Sequence, residues 1–220
     1  TSSPGGFTGT VNQAESGSIT VTGLSNGTSY TFTVTATNSI GTSVPSAASN
    51  SVTPATTPGA PTITEILVGD GTLVVGITAP GSDGGSAITN YKYSTDGGST
   101  FTDVSPASNS TAILIAGLTN GQSYNIAIKA VNAVGDGASS NIMAATPAAT
   151  PSAPTITSIT EGNAQLSVAF TPPSSDGGAA ITNYKYSTNN GASFTACAPA
   201  QTTSPIVITG LTNGQTYNVQ

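Results

Sequence analysis

The side chains able to do chemistry in this chain of 220 residues are few: nine Asp plus Glu, three Lys, seven Tyr and one Cys, with no His and no Arg. Four of the acids, Asp83, Asp96, Asp136 and Asp176, sit in Gly-rich loops. Calcium would be their cation, but Ca²⁺ takes roughly six to eight oxygens and usually several carboxylates together. Each Asp stands alone in its loop, and Asp-Gly makes tight turns, so the turn reading is favoured. Lys92 and Lys185 alternate with Tyr residues, and Lys129 belongs to the neighbouring strand and the same sheet face. An isopeptide bond to Asp or Asn wants a buried Lys beside a buried acid, so solvated lysines guarding a sheet against aggregation are the favoured reading. Tyr91, Tyr93, Tyr184 and Tyr186 could form a sugar-stacking platform, but their alternation with Lys assigns them to a core. Cys197 has no partner for a disulfide, which leaves the fold to its cores, and reads as a small buried apolar residue rather than a reactive or intermolecular thiol. Two N-glycosylation sequons, Asn26-Gly-Thr28 and Asn109-Ser-Thr111, matter only in a source that N-glycosylates.

Catalysis finds no support. There is no His, no glycine-flanked Ser followed by Asp and His, and no pair of neighbouring carboxylates. No catalytic, cofactor-binding or metal-binding residue is therefore expected, and no cofactor. A formal net charge of −6 with three scattered Lys offers no footprint for nucleic acid. No apolar run approaches the roughly 18 residues of a membrane span, and TSSPGGFTGT at the start has neither the charged nor the apolar region of a signal peptide. The hydrophobic share, 36%, is enough to build cores, while charged residues make up only 5%, so solubility rests on hydroxyls and amides and depends weakly on salt and pH.

A repeat organises the chain. GLSNGTSY at Gly23 recurs as GLTNGQSY at Gly117 and GLTNGQTY at Gly210. PTIT recurs from Pro61 to Pro154, SDGG from Ser82 to Ser175 and ITNYKYST from Ile88 to Ile181, each 93 residues on. The predicted organisation is 1–57 as the C-terminal part of a first unit, 58–150 as a complete second unit and 151–220 as the N-terminal part of a third. Both ends thus fall inside a unit. The expected reading is a segment of a longer array; completion of broken units between chains by strand donation is the other. The joints PATTPGAP from Pro54 and PAATPSAP from Pro147 predict short, semi-rigid spacers.

Each unit predicts strands. Large apolar residues recur at every second position in Tyr30–Phe32–Val34–Ala36, where Thr fills the positions between, and in Tyr124–Ile126–Ile128–Ala130, Leu73–Val75–Ile77 and Leu166–Val168–Phe170. Ile19 and Val21 recur as Ile113 and Ile115 and as Ile206 and Ile208. Turn signals separate the runs, and no segment carries a helical apolar stripe. About seven short strands per unit is the count of an immunoglobulin-like sandwich. GLTNGQSYNIAIKAVNAVGDGASS, with Leu118, Tyr124, Ala130, Asn132 and Gly135, resembles the second half of a fibronectin type III domain; APTIT, TPPSSDGGAAITNYKYS and the Pro-rich joint resemble the first half. The resemblance implies an all-β fold of tandem seven-strand sandwiches and casts Tyr124, with Tyr30 and Tyr217, as a tyrosine corner bonded to upstream backbone. Ile77 and Phe170 stand where many members carry a core Trp. The family's Arg-Gly-Asp adhesive motif is excluded, since there is no Arg. The STDGGSTF wording resembles versions in bacterial multidomain surface and secreted proteins.

The expected role is structural: a non-catalytic spacer of an extracellular or cell-surface repeat array, each sandwich spanning about 30–40 Å. Its expected partners are neighbouring repeats and, in a filament, other copies, with no nucleic acid and no membrane insertion. An adhesive or polysaccharide-binding module, or a linker in a secreted glycoside hydrolase, is the alternative; exposed aromatics in a row would favour the first of these.

Overall fold

A computed structural model describes residues 1–12 and 17–220. Every regular element among the described residues is a strand. Residues 1–57 hold β1 (Ser2–Ser3) and β2 (Thr31–Phe32). Then come β3 (Thr62–Gly69), β4 (Thr72–Thr78), β5 (Asn90–Ser94), β6 (Thr102–Asp103), β7 (Ala112–Ala116), β8 (Tyr124–Val131), β9 (Asp136–Ser139) and β10 (Met143–Ala145). The rest of the chain holds β11 (Thr155–Gly162), β12 (Gln165–Thr171), β13 (Lys185–Tyr186), β14 (Thr195–Ala196) and β15 (Ile206–Thr209). One sheet has the order β3-β4-β7; the other has the order β10-β8-β5-β6, with β9 also paired to β8. This is the three-plus-four division of an immunoglobulin-like sandwich, with the last strand broken into β9 and β10. The break has a side-chain cause. Asn141 turns onto β3, where its Oδ1 accepts the Ile63 N–H at 2.8 Å and its Nδ2 donates to the Ile63 carbonyl at 3.2 Å.

Period-two alternation accounts for the core. Leu73, Val75 and Ile77 on β4, Ile113 and Ile115 on β7, and Ile126, Ile128 and Ala130 on β8 are all buried, as is Tyr91 on β5. Each fully buried aliphatic side chain contributes roughly 1.5–3 kcal/mol. The β11-β12-β15 sheet repeats the pattern, and Val168, Phe170, Tyr184, Cys197, Ile206 and Ile208 form one cluster. There Phe170 lies against Tyr184 with ring centroids 4.6 Å apart. The larger residue at the Ile77 position thereby gains an aromatic neighbour.

Two expectations are corrected in residues 1–57. The alternating run from Tyr30 to Ala36 is a ladder only at Thr31–Phe32, with Tyr30 bridged to Val52. Ile19 and Val21 lie outside any strand. Tyr30 is buried and meets Phe7 edge-on at 6.1 Å, but Val34 and Val44 are exposed. No described residue of that segment supplies the strands that would cover them.

One turn is strained. Gly71 has φ +56°, and its counterpart 93 residues on is Ala164, also at φ 56°. A left-handed Ala costs roughly 1 kcal/mol or more, which tertiary contacts must offset. Ala164→Gly is therefore expected to raise stability by about 0.5–1 kcal/mol in urea unfolding, despite the greater chain entropy of Gly. An unchanged or lowered midpoint would refute it.

Candidate functional site

The Asp residues build turns. Asp83 Oδ1 accepts the Gly85 N–H at 2.8 Å, and Asp176 Oδ1 accepts the Gly178 N–H at 2.9 Å. Asp96 accepts the Ser94 hydroxyl at 2.6 Å, the Thr100 hydroxyl at 2.6 Å and the N–H groups of Ser99 and Thr100. Asn189 does the same work in the third repeat, accepting from Ser187 and the Ser193 N–H. An amide serving in place of a carboxylate marks a turn rather than a cation site. Among the described residues no three His, Cys, Asp or Glu lie close enough to hold a metal.

These bonds hold the Asp96 carboxyl well below the usual carboxylate range, the Ser94 hydroxyl contributing most. A depressed folded pKa contributes stability above about pH 4, lost as pH falls through the folded value. The Lys92 ammonium is raised, chiefly by its bond to Asp136, so its contribution is present below about pH 10 and lost above. Stability is expected to be flat from about pH 5 to 9 and to fall on further acidification. Asp96→Asn should reduce the fall between about pH 5 and pH 2.5 in thermal melts, and an identical pH profile would contradict the assignment.

Lys92 and Lys129 face each other directly in the β5–β8 register, so they do share a face. Neither is simply solvated, which corrects the expectation. Lys92 Nζ lies 3.0 Å from Asp136 and 3.9 Å from Asp103. Lys129 Nζ sits 4.2 Å from the centre of the Phe101 ring. The acids and the ring relieve a like-charge pair that would otherwise repel across the strands. Asp136 thus has a role that its loop alone did not reveal. Lys185 is exposed on β13. Tyr91 and Tyr184 are buried, and Tyr93 and Tyr186 half-buried, so these four form no sugar platform. Cys197 is a free thiol in the core, and burial pushes it up. Corner hydroxyls accept upstream backbone N–H groups: Tyr30 that of Ser25 at 3.0 Å and Tyr217 that of Thr212 at 3.0 Å.

The joints carry the densest unexpected bonding. Gly27 N–H donates to the Pro54 carbonyl, Thr56 N–H to Gly84 and Gly59 N–H to Ser82, all at 2.9 Å. The second joint repeats this. Gly121 N–H donates to Pro147, Ala149 N–H to Gly177 and Ser152 N–H to Ser175, at 2.8–2.9 Å. Ala148 N–H adds a bond to Gly69 at 3.2 Å, and Pro147 is fully buried. Each Pro-rich joint is therefore strapped to the Asn-Gly turn before it and the Asp-Gly-Gly loop after it. Asn120 fixes that turn by accepting the Gly71 N–H and donating to Asp70. Asn132, 4% exposed, lies beneath the first joint. Its Nδ2 donates to the carbonyls of Thr56 and Asp83 at 2.8 Å and of Ser86 at 3.4 Å. Sequence reasoning marked SDGG and TNG as turns but missed their docking; the shared 93-residue spacing was the available signal.

The strand order, alternation and corner bonds define an all-β sandwich of the immunoglobulin-like class. Residues 58–146 match the family model for the Fibronectin type III domain. A Kelch domain-containing protein of Saccharolobus solfataricus is 34% identical over 131 residues, covering 60% of this chain and 18% of that protein. The chain thus spans less than a fifth of that relative's length. A crystal structure of domains from titin is similar at 25% identity and a TM-score of 0.39, covering 54% of this chain and 40% of the titin chain. Among the described residues no helix is long and apolar enough to cross a membrane.

Proposed function

We propose that this chain is a non-catalytic structural spacer, a segment of an extracellular array of tandem fibronectin type III sandwiches. The observation that carries the reading is the bonding of both Pro-rich joints, which are tied by backbone hydrogen bonds to the elements on either side rather than left as tethers. Such straps fix the spacing of consecutive units and carry force between them, which is what a spacer requires. The low charge, −6 over 220 residues, lets neighbouring arrays approach with little repulsion.

The test is limited digestion of intact source cells with a broad-specificity protease, since three Lys and no Arg leave trypsin few sites. Peptides of this chain released from unbroken cells, or found in the culture medium, are the expected result. Their recovery only after lysis would overturn the extracellular assignment.

A further inference from the structure

The two joints share one contact that turn formation alone does not require. In the first, the Asn26-Gly27 turn meets the Gly84-Gly85 loop backbone to backbone, and a Cβ placed on Gly27 would stand 3.1 Å from the Gly85 Cα. In the second, the Asn120-Gly121 turn meets Gly177-Gly178 the same way, and a Cβ on Gly121 would stand 3.2 Å from the Gly178 Cα. From the other side, a Cβ on Gly85 would drive into the Gly27 nitrogen, and one on Gly178 into the Gly121 nitrogen. The contact recurs at the repeat spacing, with the same residue types and nearly the same separation.

We infer that the Asn-Gly turn of one repeat and the Asp-Gly-Gly loop of the next form a docking pair by which consecutive repeats recognise each other. This rests on the array reading and specifies its partner surface: another repeat carrying Asp-Gly-Gly after a Pro-rich joint. The recognition is steric. Glycine on both sides lets two backbones approach more closely than any side chain permits. The Asp of the loop holds its second glycine by the Asp83–Gly85 and Asp176–Gly178 bonds. The joint then supplies the directional bonds at Thr56 and Ala149. A sandwich with an ordinary residue at either glycine pair would be refused.

The third repeat supplies an internal control. Gly214 occupies the same turn position as Gly121 with φ +79° against +81°, yet a Cβ there meets nothing within 4 Å. Asn tolerates the left-handed conformation, so Gly121→Asn and Gly214→Asn carry equal backbone strain, and only the first adds a Cβ to a docked contact. The readout is amide hydrogen exchange of the full chain. Gly121→Asn should raise exchange at Ala149 and Ser152 about tenfold or more, with Thr56 and Gly59 in the first joint unchanged. Gly214→Asn should leave all four unchanged. Gly178→Asn, from the opposite side, should reproduce the first result. Equal protection at Ala149 in all three variants would overturn the docking pair, as would loss of protection in Gly214→Asn. Neither result bears on whether the chain is extracellular, so failure here and failure of the spacer reading are distinguishable.

Discussion

Asn132→Ala is expected to destabilise the second repeat by about 3 kcal/mol, because one truncation strands several buried polar groups. The Asn132 amide serves both ends of its loop. Its Nδ2 reaches the carbonyls of Thr56, Asp83 and Ser86, and its Oδ1 accepts the N–H groups of Val134 at 2.9 Å and Gly135 at 3.2 Å. Each group left without a partner at a site 4% exposed costs roughly 1–3 kcal/mol, less what entering water restores. The residue also couples sequence-distant segments, since Thr56 belongs to the joint and Asp83 to the loop that docks on it. Asn132→Asp separates the two roles. It keeps the acceptor toward Val134 and Gly135 but sets a carboxylate against three carbonyls. Joint protection at Thr56 should then be lost in both variants, while the 134–135 turn loosens more in Asn132→Ala. Urea unfolding with exchange at Thr56 checks this. A loss under about 1 kcal/mol with protected Thr56 would show that the Asn is replaceable.

Such long-range roles explain what was legible beforehand. Alternation at Leu73, Val75 and Ile77 revealed β4 and its buried face, because a strand with one face in the core writes its period directly into sequence. The same logic placed Ile206 and Ile208 on β15 and put Tyr91 and Tyr184 inside. It overreached at Val34 and Ala36, which keep the period but are exposed and lie outside any strand. The Lys92–Asp136 pair links residues 44 apart and Asn132–Thr56 residues 76 apart, so no local pattern announces either. The docking glycines were visible as residues and invisible as a contact. Gly-Gly at Gly84 and Gly177 signals a turn whether or not another backbone lies against it.

A second large effect is expected from Ser43→Ala, Ser46→Ala and Ser49→Ala combined: a loss of about 3 kcal/mol from the first segment, at roughly 0.5–1.5 kcal/mol per hydrogen bond. The segment leading to Val52 does not pair in ordinary β fashion. The Phe32 N–H donates to the Ser49 hydroxyl at 3.0 Å, Val34 to Ser46 at 3.1 Å and Ala36 to Ser43 at 3.0 Å. In return, the backbone N–H of each Ser donates to the carbonyl of the same residue, at 2.8–2.9 Å. Each hydroxyl then passes its own proton to the next carbonyl, those of Val44, Ala47 and Asn50. One side advances by two residues per rung and the other by three, the period of a polyproline-like chain. The Ser-x-x-Ser-x-x-Ser spacing is thus a ladder in which side-chain oxygens stand in for backbone carbonyls. This is why the run from Val34 is not a regular strand despite its alternation. Ser140 makes the same pair of bonds with Ile128 in the second repeat. Alanine keeps the backbone donors of the ladder and removes each hydroxyl with both the bond it accepts and the bond it donates, so the effect isolates the hydroxyls. Amide exchange at Phe32, Val34 and Ala36 should rise sharply in the triple variant, while Tyr30, bonded to the Val52 carbonyl at 2.8 Å, keeps its protection. Unchanged exchange at the three sites would mean that water replaces the serines at no cost, and the three-residue period would then have no energetic role.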